Sequence, residues 1–515
     1  MRSSCAFRIA ALQGSRVCRC AAGGEQATAE DGGTLLHRMK MRDVSLVVPN
    51  ADGTIRLTFI QNRHMLNETV HRHDLLNQFL PDLFATDSAA IARGLELVGT
   101  NLSFVNLLSA QLEQEERVEV RYAAGPFILL SESMALGETR CHLRAPADDA
   151  PAAARDERCL DTFLQWLRAE QGASGDMLRE TLRLKVDKVL YNQNKKFVSL
   201  VKSNFASLLC TEDATAAAGA PVPLSLRLLP PLEALLPRQT LDPAVQHRLE
   251  RLHDYYLHNM TLHAYNYFRS SDGVVAAVWC ETLLRERDGR VADPADGSGV
   301  ARESCGVLLT PLAAGGQAER DVYDVQRRLV QFAAAPPADS RDAAATSSPG
   351  HALLRLLNRD HEQQPGAGPN RYLTQEVLSF FTGDYEGAAL AAEQARHFTN
   401  RDLRAVERRV EPLRRRVWGD ALARPGAPRL SLNGAAARRC RLDFFCRCSK
   451  FDLLNSFITL PEEVFHQVMG EQLALHEGGS ADEGIRCTYC GKRHVIAEKE
   501  WLQLKEYRDT HRTKA

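Results

Sequence analysis

The stretch FFCRCSKFDLLNSFITLPEEVFHQVM at 444–469, with IRCTYCGKRHVIAEKEWLQL at 485–504, decides how the rest of this sequence reads. Each holds two closely spaced cysteines: Cys446 and Cys448 in Cys-x-Cys, Cys487 and Cys490 in Cys-x-x-Cys-Gly. In the second turn two thiolates converge on one point, backbone amides can aim at sulfur, and Gly491 supplies permissive backbone just beyond. Two thiolates are half a tetrahedron. The other pair completes it, so Cys446, Cys448, Cys487 and Cys490 are expected to hold one Zn2+ in a closed site. His494 has ligand spacing as well and is an alternative for one place, whereas Cys440 reads as a bystander thiol. Zinc keeps its sulfurs as thiolates, the form that oxidants attack, and supplies on the order of 10–16 kcal/mol of folding free energy in small finger-like units. Oxidising the ligands should therefore expel the metal and unfold the module. A thioredoxin-type use fits poorly, because that motif opens a helix in a βαβ unit and Cys490 is followed by Gly491 and the strand-like 494–496.

Upstream of the cysteines the chain is basic and helical. From Asn400 the residues Leu403, Val406, Val410, Leu413 and Val417 fall at 3,4,3,4 spacing, the stripe of an amphipathic helix with Pro412 as a candidate kink. Residues 401–440 carry eleven Arg against four acidic residues, so the opposite face is strongly basic. That face reads first as a solvated surface, and as a nucleic-acid-binding stripe in the alternative, although Trp418 is the lone aromatic there. Residues 372–381 form a further apolar helix.

Before these helices, 145–157, 212–223, 288–303, 335–350 and 362–370 are rich in Ala, Pro, Gly and Asp without apolar periodicity, and read as flexible insertions. Between them, 43–48 and 54–60 bracket an Asn50-Ala51-Asp52-Gly53 turn as a hairpin. Ile91, Leu95, Val98, Leu102, Val105 and Leu108 predict a core-facing helix over 87–115 behind a Thr86-Asp87-Ser88 cap. Strands are expected at 117–122 and 127–131, in a run from Gly137 through Arg140 and Leu143, and at 182–190, 197–201, 262–268 and 274–279. The fold class is α+β: an N-terminal sheet-plus-helix domain at 42–335, a helical linker at 371–439, and a small C-terminal zinc-binding domain at 440–505. Residues 1–41 form an N-terminal extension. Its first part holds Arg2, Arg8, Arg16 and Arg19 and no acidic residue before Glu25, the composition of a targeting presequence.

The 515 residues are 44% apolar, enough to bury a large core. Lys plus Arg (64) and Asp plus Glu (65) nearly cancel, so no global field draws in nucleic acid or an anionic membrane. The 13 cysteines are odd in number and scattered outside the C-terminal group, which does not read as a disulfide framework. His64, His71, His73, His253, His258 and His263 lack carboxylates at metal-site spacing, and core or surface roles are their default. There is no Walker loop, Gly-x-Ser-x-Gly elbow or His-Glu-x-x-His, and no enzymatic activity is read from the sequence.

The two cysteine stretches resemble the zinc domain of the 33-kilodalton heat-shock proteins, the redox-regulated chaperones, from the Cys-Xaa-Cys-Ser start through Leu460-Pro461-Glu462-Glu463 to the final Cys-x-Tyr-Cys-Gly turn. Upstream, VEVRYAAGPFILLSES at 118–133 with Gly137 and Arg140, and LERLHDYYLHNMTLHAYNYF at 249–268, are similar to further blocks of that family. The resemblance implies a cytoplasmic holdase that binds unfolding client proteins without ATP, against which the N-terminus sets a mitochondrial alternative. It implies a reduced, zinc-bound resting form whose linker covers the N-terminal domain. On oxidation it implies disulfides Cys446–Cys448 and Cys487–Cys490, zinc release, and an unfolded linker that bares Leu403, Val406, Val410, Leu413 and Val417 to clients, commonly in a homodimer. A longer chain, a longer spacer between the cysteine pairs and an Arg-rich linker depart from the family's pattern. The reading from another class is a zinc-ribbon nucleic-acid-binding protein using 401–440.

Overall fold

The computed structural model describes residues 43–72, 88–113, 116–124, 127–144, 181–190, 195–204, 257–287, 290–291, 301–313, 316–334, 352–362, 370–392, 399–419, 430–477, 484–487 and 489–512. The first elements are β1 (Val44–Pro49), β2 (Ile55–Gln61), α1 (Arg63–Arg72), α2 (Ser88–Ser109), β3 (Arg117–Ala124), β4 (Phe127–Met134), β5 (Glu138–Arg144), β6 (Thr181–Leu190) and β7 (Lys195–Asn204). Then come α3 (Thr261–Tyr267), β8 (Ala277–Leu284), β9 (Glu286–Arg287), β10 (Arg290–Val291), β11 (Ala301–Pro311), α4 (Gln317–Ala334), α5 (Ala352–Glu362), α6 (Leu373–Thr382), α7 (Tyr385–Ala391) and α8 (Asn400–Trp418). The chain closes with β12 (Arg438–Arg441), β13 (Asp443–Phe444), α9 (Lys450–Ile458), α10 (Glu462–Glu477), β14 (Ile485–Arg486), β15 (Arg493–His494) and α11 (Glu498–Arg512). The class is α+β.

The β1–β2 hairpin forms where expected, with the Asn50 carboxamide oxygen accepting from the amides of Thr54 and Ile55 at 2.8 and 3.0 Å. It belongs to a five-stranded sheet of order β12-β1-β2-β11-β8, while a six-stranded sheet runs β13-β5-β4-β3-β6-β7. Helix α2 touches both sheets. The expected stripe Leu95, Val98, Leu102, Val105 and Leu108 is buried, but so are Thr100, Asn101, Ser103, Asn106 and Ser109. Several of them find partners: the Asn106 oxygen accepts from Ser133 at 2.9 Å and Thr139 at 2.7 Å on the strands, while Thr100 donates to the Glu96 carbonyl at 2.8 Å and Ser109 to the Asn106 carbonyl at 3.2 Å within the helix. A helix can be buried on every side when its polar side chains are bonded in this way.

The strand expected at 262–268 is a helix, α3, which passes into a π turn at Phe268–Asp272 and ends at Gly273. All seven α3 residues are buried, and burial on every side erases the period that marks a helix in a sequence. The insertion expected at 288–303 is also partly ordered, since β10 and the start of β11 fall in it and Glu303 is buried. The other expected insertions, apart from the end of α5 and Asn370, and the extension at 1–41, lie outside the described residues.

Helices α4 to α8 share one core with the five-stranded sheet: Leu57, Phe59, Trp279 and Val307 meet Val322, Val377, Phe380, Val406, Val410 and Trp418. The segment expected as a linker thus packs as cover, and its last residues are the edge strand β12, with Val44 opposite Arg441. Helix α8 opens on a Thr399/Asp402 capping box, closes with Arg415 and Arg416 in its last turn, and runs on through Pro412. Of its stripe, Val406, Val410 and Val417 are buried and Leu403 and Leu413 half-buried. Burying each valine contributes about 1.5–3 kcal/mol. Two polar ties add to this: Arg409 donates through Nε at 2.7 Å to Glu376, which is fully buried, and the Trp418 indole donates to the Phe380 carbonyl at 3.0 Å. Among the described residues no helix is long and apolar enough to cross a membrane.

Candidate metal centre

The path to the cysteines starts where β12 leaves the first sheet. Leu442 is buried, and β13 then pairs in parallel with β5 of the second sheet, so the run 438–444 joins the two sheets. It crosses the β4–β5 turn closely. Gly137 has φ +87°, and a Cβ there would lie 2.1 Å from the Arg441 carbonyl oxygen, which makes glycine obligatory. The Asp443 and Phe445 amides donate to the Gly137 and Thr139 carbonyls at 3.0 and 3.1 Å and bring Cys446 to the sheet edge.

Ser449 caps α9 by accepting from the Asp452 amide at 3.0 Å. Helices α9, α10 and α11 enclose a core of Phe457, Phe465, Ile496, Trp501 and Leu504. The β14–β15 hairpin carries Cys487 and Cys490 in its turn, closed by the Cys487 amide on the Lys492 carbonyl at 2.8 Å and the Gly491 amide on the Cys487 carbonyl at 2.9 Å. Gly491 has φ +69°, the left-handed backbone the sequence required there.

The four sulfurs of Cys446, Cys448, Cys487 and Cys490 lie within 4.8 Å of one another. Cys446 and Cys487 are 3.6 Å apart, Cys448 and Cys490 3.4 Å. A tetrahedron with metal–sulfur bonds of about 2.3 Å has edges of about 3.8 Å, so this donor set fits one zinc-sized, thiophilic ion. Among themselves the thiols share protons unequally. The hydrogen bond from Cys487 pushes Cys446 down to about 4, burial and the neighbouring sulfurs push Cys448 up to about 12, and Cys487 is raised by the proton it gives Cys446. The amides of Tyr489 and Cys490 also point at the Cys487 sulfur, as expected of this turn. A bound cation would supply what the protons now do, holding all four sulfurs as thiolates. His494 is buried with Nε2 3.3 Å from the Cys448 sulfur, beside the four rather than among them, and Cys440 lies apart, against the Ala135 carbonyl.

Two residues whose part at the site the sequence did not announce complete it. Arg140 on β5 reaches the Cys446 sulfur with Nη1 at 3.7 Å, bonds Glu132 through Nε at 2.8 Å, and stacks its guanidinium 4.2 Å from the centre of the Tyr489 ring. Tyr489 is the residue inside the Cys-x-x-Cys turn, and His142 approaches its ring at 5.6 Å. Arg447 adds an ion pair to Glu138 at 2.5 Å. Four thiolates around a dication leave two negative charges, and Arg140 places a cation against them. The sequence predicts the strand running from Gly137 through Arg140 and Leu143, but that its Arg faces the cysteines follows only from the register of β13 on β5.

Of the histidines, His64 is exposed, while His258 and His263 are buried, His263 with its ring 4.9 Å from that of Tyr122. His73 and His253, and the side chain of His71, lie outside the described residues. No other group of potential metal ligands occurs among the described residues.

No family model matches the chain, and no curated protein does. Among solved structures, the crystal structure of a 33 kDa chaperonin (heat shock protein 33 homolog) from Thermotoga maritima is similar at 12% identity and a TM-score of 0.38, over 91% of this chain and 99% of that one. At that level the function has to be argued from the site.

Proposed function

We propose that this protein is a redox-regulated holdase chaperone that binds unfolding proteins under oxidative stress, held inactive by a zinc-bound cysteine cluster. The observation that carries the reading is the run 438–444: it starts paired to β1, staples both sheets, and leads directly to Cys446. In the reduced state Cys446, Cys448, Cys487 and Cys490 would hold the ion, and zinc would supply the positive charge that keeps the four sulfurs together as thiolates. Oxidation by peroxide takes two electrons from each pair, closing Cys446 to Cys448 and Cys487 to Cys490, while each peroxide takes up two protons and leaves as two waters. The within-pair disulfides draw apart sulfurs that now meet across pairs. Arg140 then loses its thiolate, the run 438–444 loosens, and α8 lifts to offer Leu403, Val406, Val410, Leu413 and Val417 to clients. The oxidised form is a homodimer and no catalytic turnover is involved; the compartment is the cytoplasm, with the mitochondrial matrix as the alternative.

The test is zinc content and client protection on one sample. The reduced protein should carry one zinc per chain and fail to suppress aggregation of a thermally unfolding enzyme. Peroxide with mild heat should release the zinc and switch protection on. Equal protection by both forms would sink the reading. The exposed arginines Arg401, Arg404, Arg408, Arg415 and Arg416 on α8 support a second reading, nucleic-acid binding. It requires RNA or DNA affinity that falls steeply with salt, and a flat titration at low salt removes it.

A further inference from the structure

The six-stranded sheet has two unlike edges. β13 leads to the cysteines, and at the opposite end β7 pairs, among the described residues, with β6 alone. An open edge is a template for another strand, and proteins usually blunt it with charge. Here β7 carries Lys196, ion-paired to Asp187 at 3.3 Å, and Lys202, but Phe197, Val198 and Leu200 between them are 49%, 55% and 57% exposed. The pairing of Val198 with Asp187 and Leu200 with Lys185 puts those two apolar residues on one face, with Phe197 and Ser199 on the other.

Behind Phe197 and Ser199 opens a cavity of about 620 Å³, between β6, β7, the end of α2 and the π turn. Phe197 and Tyr267 supply aromatic walls, and Glu113 and Glu116 supply carboxylates. The third acid, Asp272, is neutralised by Lys188 at 2.9 Å. Glu116 accepts the Glu113 amide at 3.0 Å, and among the described residues neither of these two carboxylates meets a basic side chain. The cavity is therefore a negatively charged, partly aromatic slot beside an open strand edge, and its charge calls for a cation.

We infer that β7 and this cavity form a docking site for an extended peptide segment that adds as a further strand, sends a Lys or Arg side chain into the cavity, and lays apolar residues over Val198 and Leu200. Main-chain bonds to the edge give such a complex its affinity, and the pocket under alternate side chains its selectivity. An acidic residue at one end of the segment would meet Lys202, and one at the other end would share Lys196 with Asp187. This deepens the chaperone reading by naming a polypeptide contact, but its remoteness from the cysteines means it should work with the cluster reduced.

The probe is the blocked, fluorescein-labelled peptide Glu-Thr-Val-Arg-Val-Thr-Glu, whose palindromic pattern presents the same faces in either strand direction. Anisotropy on the full, reduced chain should show saturable binding with the same dissociation constant after peroxide treatment. Replacing the peptide's Arg by Glu, or Glu113→Lys or Leu200→Lys in the protein, should weaken binding by about tenfold or more, and the Glu peptide should regain affinity on Glu113→Lys. Absence of binding, equal affinity for the Arg and Glu peptides, or indifference to Glu113→Lys would overturn the site. Binding that appears only after peroxide would assign the peptide to the redox switch and overturn it too. If the redox switch fails its own test while the Arg peptide binds selectively, this site stands and the holdase reading alone falls.

Discussion

The cysteine module and the sheet-and-helix body solve the same problem with different means. The body buries a continuous apolar core, from Leu46 and Phe59 in the strands to Phe380, Val410 and Trp418 in the cover helices. The module has five buried apolar residues, Phe457, Phe465, Ile496, Trp501 and Leu504, and a buried Arg508 whose guanidinium meets the Leu460 carbonyl at 2.6 Å. A core that small rarely stabilises a fold alone, and an ion held by its four sulfurs would make up the difference, where the body leans on area. A chain built in this way can lose one part by a chemical event that leaves most of the other standing.

The most severe way to break the contrast is Cys487→Ser with Cys490→Ser. Metal analysis should show zinc lost, and the module should forfeit on the order of 10 kcal/mol, enough to unfold it. Trp501 fluorescence should shift to the red while the body keeps a cooperative urea transition. A module that stays folded without metal would show that its apolar core suffices. The next test attacks the body where it is polar. Arg409→Ala removes the guanidinium bonded to buried Glu376, at a cost of about 3–5 kcal/mol. Helix α8 should loosen and an apolar-surface dye should bind before any oxidation, with the zinc content unchanged.

A third test uses pH. Burial pushes Asp43 up to about 7 and Glu303 up to about 6, in Asp43 against the pull of the His64 and Met65 amides that it caps and with Asp443 and Glu303 as like-charged neighbours. Both groups hold their protons more tightly folded than unfolded. Their contribution is therefore fully present below about pH 4 and is lost as pH rises towards 7. The body's urea midpoint should fall by a few kcal/mol equivalent over that interval, and Asp43→Asn should flatten the slope. A midpoint as steep in the variant as in the parent would assign the dependence to other groups.

What the sequence could announce follows from where each signal is local. The cysteine spacing fixes the cluster, and the 3,4,3,4 stripe fixes α8 and its buried valines, because one turn or one helix contains the whole pattern. Asn101, Ser103 and Asn106 lie off the apolar stripe of α2 and are core all the same, because their partners Ser131, Ser133, Thr139 and Ser304 arrive from distant strands. β12 was hidden by its composition: Arg438, Arg439 and Arg441 look like a linker's end, yet an edge strand may be exposed and charged. Arg140 is a strand arginine until the register of β13 on β5 places Cys446 beside it.

That arginine offers the smallest and sharpest test, because it belongs to the body and touches the module. Arg140→Leu should leave the fold intact, since Arg117 still pairs with Glu132 at 3.2 Å, and should cost about 1.5–3 kcal/mol at the joint. The Cys446 thiolate would lose its one body-borne cation, and Tyr489 the guanidinium stacked on it. Zinc stoichiometry should stay at the parental value, because Cys446, Cys448, Cys487 and Cys490 remain, but peroxide should release the metal several-fold faster, with dye binding following sooner. Arg140→Lys should restore the charge but not the planar stacking, and so fall between parent and Leu variant. If release is unchanged while the fold loses stability, Arg140 only fills the sheet edge. Module and body would then be neighbours without coupling, and the cover helices would need another path by which to learn the state of the cysteines.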